Sequence, residues 1–125
     1  MTSTSRHGPD AGPPAVNEVH LVGRVSGPPD ERVLPRGDEL IALRIVVPRV
    51  GGSRRGAPTG PKGPKVDTID ATCWSASTRR VACRLAVGDT VQVAGALRRR
   101  FFRTGAGAQS RYDVEVTSLR RVASA

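Results

Sequence analysis

Apolar and polar residues alternate along most of this chain, and the alternation comes in separate blocks. "NEVHLVGRV" puts Val19, Leu21, Gly23 and Val25 on one side of an extended strand and Glu18, His20 and Arg24 on the other. Gly23 inside that block marks a bulge or bend. "SGPPDERVLPRGD" is turn chemistry, with room for a short strand at Arg32–Leu34. "ELIALRIVV" is apolar on both faces, is rich in branched residues and closes at Pro48. "VDTIDATCW" places Ile69, Ala71 and Cys73 on one face and Thr68, Asp70, Thr72 and Trp74 on the other. In "SASTRRVACRLAVGD" the spacing becomes helical through Val81, Ala82 and Leu85, with Ser75 or Ser77 as the cap and Gly88 as the stop. "DTVQVAGALRRRFF" returns to alternation, with Val91, Val93, Gly95 and Leu97 inward. "RTGAGAQS" reads as a hairpin loop, and "RYDVEVTSL" as a last strand with Tyr112, Val114 and Val116 inward.

The predicted order is three strands, one short helix, then two strands. An all-β chain with its helix between the third and fourth strands fits the five-stranded Greek-key barrel called the OB-fold. The domain spans residues 16–122. Residues 1–15 contain little to bury and read as a disordered arm, and 123–125 as a short tail. Residues 49–65 are rich in Gly and Pro, carry five basic residues and no acidic one, and read as a flexible basic loop. Gly51 and Gly56 have phosphate-loop spacing. Ala57 stands where lysine is required, so no nucleotide cradle is expected there.

Charge narrows the function. The 125 residues carry a net charge of +9, and every basic residue except Lys62 and Lys65 is arginine. Such a surface suits a polyanion, nucleic acid before an acidic membrane, and the guanidinium adds a phosphate fork and a flat face for stacking. Only four aromatic residues are present, and both phenylalanines sit in "RRRFFR". Parity puts Phe102 on the outer face with Arg98 and Arg100, opposite Val91, Val93 and Leu97. Phe101 has the inward parity and reads as packing. Trp74 is likewise outward. Arginine beside aromatic on one strand face suits phosphates and bases together.

Other chemistries find little support. Asp67, Asp70 and Asp89 are scattered without a partner histidine, so no catalytic residues and no enzyme are expected. Cys73, Cys83, His7 and His20 have no metal-ligand spacing, and no cofactor is expected. No apolar run is long enough to cross a membrane, the start lacks a secretory pattern, and the cysteines read as thiols in a reducing cytoplasm.

In order and spacing, "VNEVHLVGRV", "ALRIVV", "DTIDATCW", "LAVGDTVQVAGALRRRFF" and "RYDVEV" resemble the bacterial single-stranded DNA-binding proteins from Val16 to Val122. The resemblance implies stacking of bases on Trp74 and Phe102, and phosphate contacts from Arg98 and Arg100. Arg44 and the loop arginines Arg49, Arg54 and Arg55 complete the candidate DNA-binding set. It also implies a homo-oligomer, dimer or tetramer, built through the first strand at Val19, His20 and Leu21. The partner expected is single-stranded DNA, coated largely without sequence preference in the nucleoid during replication, repair or recombination. An RNA-binding OB module and a structural subunit acting through protein contacts are the alternatives. Three departures stand out. Thr68 and Val50–Gly51 occupy positions where the family often has aromatics, which implies weaker stacking. The sequence stops at "LRRVASA" without the family's acidic tail, so recruitment of partners through a tail is not expected.

Overall fold

The computed structural model describes residues 12–50 and 65–125. It contains β1 (Val19–Val25), β2 (Asp30–Val33), β3 (Glu39–Pro48), β4 (Val66–Cys73), α1 (Ala76–Ala82), β5 (Thr90–Thr104) and β6 (Gly107–Ala123). Five strands close a ring in the order β1-β5-β6-β4-β3, and a β1–β3 pairing completes it. Four of the ring's contacts are antiparallel, and β4 with β6 is the parallel one. With its single helix between β4 and β5, this is the OB-fold. β2 is an addition outside the ring, paired to β3 alone. It occupies Asp30–Val33 rather than the expected Arg32–Leu34, and every residue in it is exposed.

The alternation places the core as expected along β4 and the start of β5, while β3, apolar on both faces in the sequence, turns one set inward. Ile41, Leu43 and Ile45 point in, with Ala71 and Cys73 from β4 and Val91 and Val93 from β5. In β6 the inward set is Val114, Val116 and Leu119. The register slips by one residue between the pairs Ala94↔Ser118 and Gly95↔Val116, which leaves Thr117 without an opposite number. That bulge shifts the inward parity from 116 to 119. Gly23 lies where β1 passes from β5 to β3. A Cβ there would come within 2.8 Å of Ile45 Cγ2, so a bare backbone is required for the crossing.

The Ser75 hydroxyl caps α1 by accepting from the Thr78 N–H at 3.2 Å. The helix buries Thr78 and Ala82 at one end of the barrel. It ends at Ala82, earlier than the expected stop at Gly88, because single-turn hydrogen bonds at Arg84 and Leu85 take over. Gly88, with φ of 95°, instead shapes the turn into β5. Beside it the Asp89 carboxylate accepts from the N–H groups of Ala86 and Ala125. Those bonds, led by Ala86, and the nearby Arg121 hold its pKa below the usual carboxylate value.

The expected loop "RTGAGAQS" is the tip of a ladder. Thr104 pairs with Gly107 across a two-residue turn, so β5 and β6 run on past the barrel as one projecting hairpin. Gly107, the first residue after the turn, has a positive φ of 114°, the conformation glycine takes where a tight turn ends in a bulge. This corrects the inward assignments of Leu97 and Tyr112, and the packing role given to Phe101. Their parity is the barrel's inner one, but they lie beyond the end of the barrel, where no opposing strand covers them. Leu97 is 47% exposed, Tyr112 57% and Phe101 72%.

The two cysteines differ sharply. Cys73 is buried, and desolvation pushes its thiol up to about 11. Cys83 is exposed at the end of α1. Only the thiolate attacks a disulfide reagent. At mildly alkaline pH a colorimetric thiol assay should show one fast-reacting group, and Cys83→Ser should remove it. Two fast groups in the native protein would show that Cys73 is not sealed in the core.

Candidate nucleic-acid interface

A groove runs between the β2–β3 face of the barrel and the projecting hairpin. Ser26–Pro28 and Arg32 form one side, Arg44, Asp70 and Thr72 the floor, and Arg100, Phe102, Arg111 and Asp113 the hairpin side. Strand geometry explains the grouping. Arg98↔Asp113, Arg100↔Arg111 and Phe102↔Gln109 are opposite pairs in the β5–β6 ladder, so one face of the hairpin carries all six. Arg44↔Asp70 is an opposite pair in β3–β4.

The expected shared face of Arg98, Arg100 and Phe102 is thus present, and carboxylates stand among the arginines. Arg98 Nε lies 2.6 Å from Glu115 Oε1, and Arg44 Nε lies 3.3 Å from Asp70 Oδ1. Arg49 donates twice to Asp67 Oδ1, at 3.0 and 3.1 Å, and that hydrogen bond and charge raise its pKa further. Arg100 Nε donates to Asp113 Oδ1 at 3.1 Å, and Asp113 also accepts from the Thr72 hydroxyl.

These pairs are not equivalent. The Arg98, Arg44 and Arg49 side chains are all more than half exposed. Pairs of this kind contribute about 0–1 kcal/mol, so a phosphate can replace the carboxylate at little cost. The Asp113 side chain is 7% exposed. Removing the partner of a buried charge costs about 3–5 kcal/mol, so Arg100 stays with Asp113. Its guanidinium also lies over the Trp74 ring, 5.4 Å from the centroid. Thr72, Asp113, Arg100 and Trp74 form a connected chain, and within it Arg100 holds the tryptophan in place. Arg79 braces the same turn by donating to the Trp74 carbonyl.

Phe102 is 37% exposed and lines the groove. Arg111 lies over its ring at 5.5 Å. Arg111 pairs with no carboxylate among the described residues, and the sequence reading missed it. Its signal was parity with Phe102 across the hairpin, hidden by taking residues 103–110 for a loop. Arg54 and Arg55 lie outside the described residues, as do residues 1–11 of the expected arm and 51–64 of the expected loop.

On β1, Val19 and Leu21 turn toward the core and pack against it, opposite Gly95 and Val93. His20 is exposed, 3.9 Å from Glu18, and Val22 is 55% exposed on the same face. β1 meets β3 only at Arg24 and Val25. Among the described residues no group of three or more His, Cys, Asp or Glu could hold a metal ion. No helix there is long and apolar enough to cross a membrane.

Three comparisons bear on this arrangement. The chain is 35% identical over 83 residues to a single-stranded DNA-binding protein of Deinococcus radiodurans, a match covering 66% of this chain and 26% of that protein. It therefore spans about a quarter of the length of that relative. The fold superposes with a TM-score of 0.73 and 19% identity on the Plasmodium falciparum SSB solved with single-stranded DNA, covering 89% of this chain and 98% of that one. Finally, the family model described as the single-strand binding protein family matches residues 16–122, and the chain belongs to that family.

Proposed function

We propose that the domain of residues 16–122 binds single-stranded DNA along the groove, without sequence preference, and coats it during replication, repair or recombination in the cytoplasm. The observation that carries this reading is the hairpin face, where Phe102 stands beside arginines over an open groove on an OB-fold barrel. Every base has a π-face, so a stacking platform beside exchangeable arginines holds a strand of any sequence. Trp74 and Phe102 are the platforms. Arg98, Arg44, Arg49 and Arg111 are the phosphate contacts, with Arg54 and Arg55 added from the basic loop. Arg100 acts on the strand through Trp74. Binding, not catalysis, is the activity. The backbone edge of Val19–Val22 on the side away from β5, which β3 leaves unpaired, supports a homo-oligomer formed by strand addition from a second copy.

Titration of fluorescent oligo-dT by anisotropy tests the reading, with Trp74, the single tryptophan, as an internal reporter. Tight, salt-sensitive binding with quenching, and poor competition by duplex DNA and oligo-rU, is the expected result. Preference for oligo-rU would favour an RNA partner. No binding with oligomerisation intact would favour a structural subunit.

The ion pairs add a quantitative expectation. Log affinity falls with log salt at about −0.7 per phosphate neutralised. Glu115→Gln releases Arg98 from its carboxylate, so this variant should bind more tightly at low salt, with a slope steeper by up to about 0.7. An unchanged slope would show that Arg98 does not meet a phosphate.

A further inference from the structure

We propose that the projecting hairpin binds single-stranded DNA on both of its faces, and that Leu97, Arg99, Phe101, Arg103 and Tyr112 form a second base-stacking site on the face turned away from the groove. The inference rests on the single-strand reading above and extends it to a surface that reading does not use.

The site follows from register. Arg99 is opposite Tyr112 and Phe101 is opposite Ser110 in the β5–β6 ladder, so their side chains share one face. The Arg99 guanidinium lies 4.9 Å from the Phe101 ring centroid and 5.5 Å from that of Tyr112, and it also donates to the Ser110 hydroxyl. Three flat groups are thereby held together, with Phe101 72% and Tyr112 57% exposed. Half of the chain's aromatic residues stand here in contact with water. Burying them against something flat recovers both apolar area and stacking.

Charge selects the occupant. On the groove face, Arg98 and Arg100 are matched by Glu115 and Asp113. On the opposite face the ladder positions are Leu97, Arg99, Phe101, Arg103, Ala108, Ser110, Tyr112 and Val114, with no carboxylate among them. Neither Arg99 nor Arg103 forms an ion pair among the described residues. A second copy of the chain laid face to face would set four arginines together without a counter-charge, whereas a strand brings phosphate and base at once. A strand leaving the groove past Phe102 need only cross the hairpin tip at Gly105–Ala106 to reach this face.

The test compares Phe101→Ala/Tyr112→Ala with the unaltered protein on two oligo-dT lengths. The shorter, about 8 nucleotides, fits within the groove of one OB-fold, and the longer, about 35, extends well beyond it. The expected result is a loss of at least about fivefold in affinity for the long oligonucleotide and little change for the short one. Circular dichroism checks the fold, and light scattering should show an unchanged mass. Arg99→Gln/Arg103→Gln, which keeps both rings, should flatten the salt slope for the long oligonucleotide alone. Ultraviolet cross-linking of a long iodouracil-substituted strand should mark Phe101 or Tyr112. Unchanged long-strand affinity in both variants, or a fall in oligomeric mass that assigns the face to a second copy, would overturn the second site. In those cases short-strand binding that still depends on Phe102 leaves the groove reading standing. If the unaltered protein binds neither length, both fail together.

Discussion

Replacing Trp74 and Phe102 together with alanine should weaken oligo-dT binding by about 2–6 kcal/mol, since each lost stack removes about 1–3. At 1.4 kcal/mol per factor of ten, the loss runs from about thirtyfold to beyond ten-thousandfold. The two rings sit in different settings. Arg111 covers Phe102 at the groove wall, whereas Trp74 is half-buried under Arg100. Phe102→Ala should therefore act on binding alone. Trp74→Ala also strips the ring from beneath Arg100, although Asp113 and Thr72 keep that guanidinium anchored. Anisotropy at fixed salt reads both single variants and the pair. An affinity for the double variant equal to that of the unaltered protein would show that bases stack on neither ring.

Gly95→Val should lower thermal stability more than any surface substitution in the molecule. A Cβ at Gly95 overlaps the Glu115 carbonyl oxygen, and Val114 Cγ1 lies only 3.1 Å away. The obstruction is backbone, so no rotamer change relieves it, and β5 and β6 must separate at the bulge. Overpacking of this kind costs about 1–3 kcal/mol, and a branched side chain belongs at the upper end. For a domain of this size, that moves the melting midpoint by roughly 10 °C. Gly105→Ala is the control, because nothing lies within 4 Å of a Cβ there. Equal melting of Gly95→Val and the unaltered protein would mean that the strands pass more loosely than their register implies.

The elements of the barrel were legible because each buries one face, and alternation records that directly. β1, β4 and the start of β5 lie where the apolar period puts them, and β3 where the branched apolar run does. Parity also placed Arg98, Arg100 and Phe102 together. It failed for Leu97, Phe101 and Tyr112 because parity names a side of a strand and says nothing about what lies across from it. The hairpin outruns the barrel, and its inner side faces water. The length of the hairpin was hidden for a related reason. Two glycines and three polar residues in 104–110 look like loop composition, yet only Gly105 and Ala106 make the turn. The carboxylates that pair with the hairpin arginines were the least visible part. Asp113 and Glu115 read as solvent-facing charges until the ladder sets them diagonally from Arg100 and Arg98. Pairing across strands depends on register, which no single segment contains. That register makes three of the expected phosphate contacts exchangeable and turns Arg100 into a support.

The way the ring closes governs how the protein is made. β4 meets β6 through two rungs, Ala71↔Val114 and Thr72↔Glu115, with the Thr72–Asp113 hydrogen bond joining residues 41 positions apart. At the other seam Asn17 clasps the backbone of Leu97, 80 positions on. Neither seam can form until β5 and β6 exist, so a growing chain holds β3 and β4 as an open sheet with an apolar face. Non-local closure of this kind belongs with slow, millisecond-to-second folding. Until then the apolar face of that sheet stays uncovered, and β6 acts as the latch.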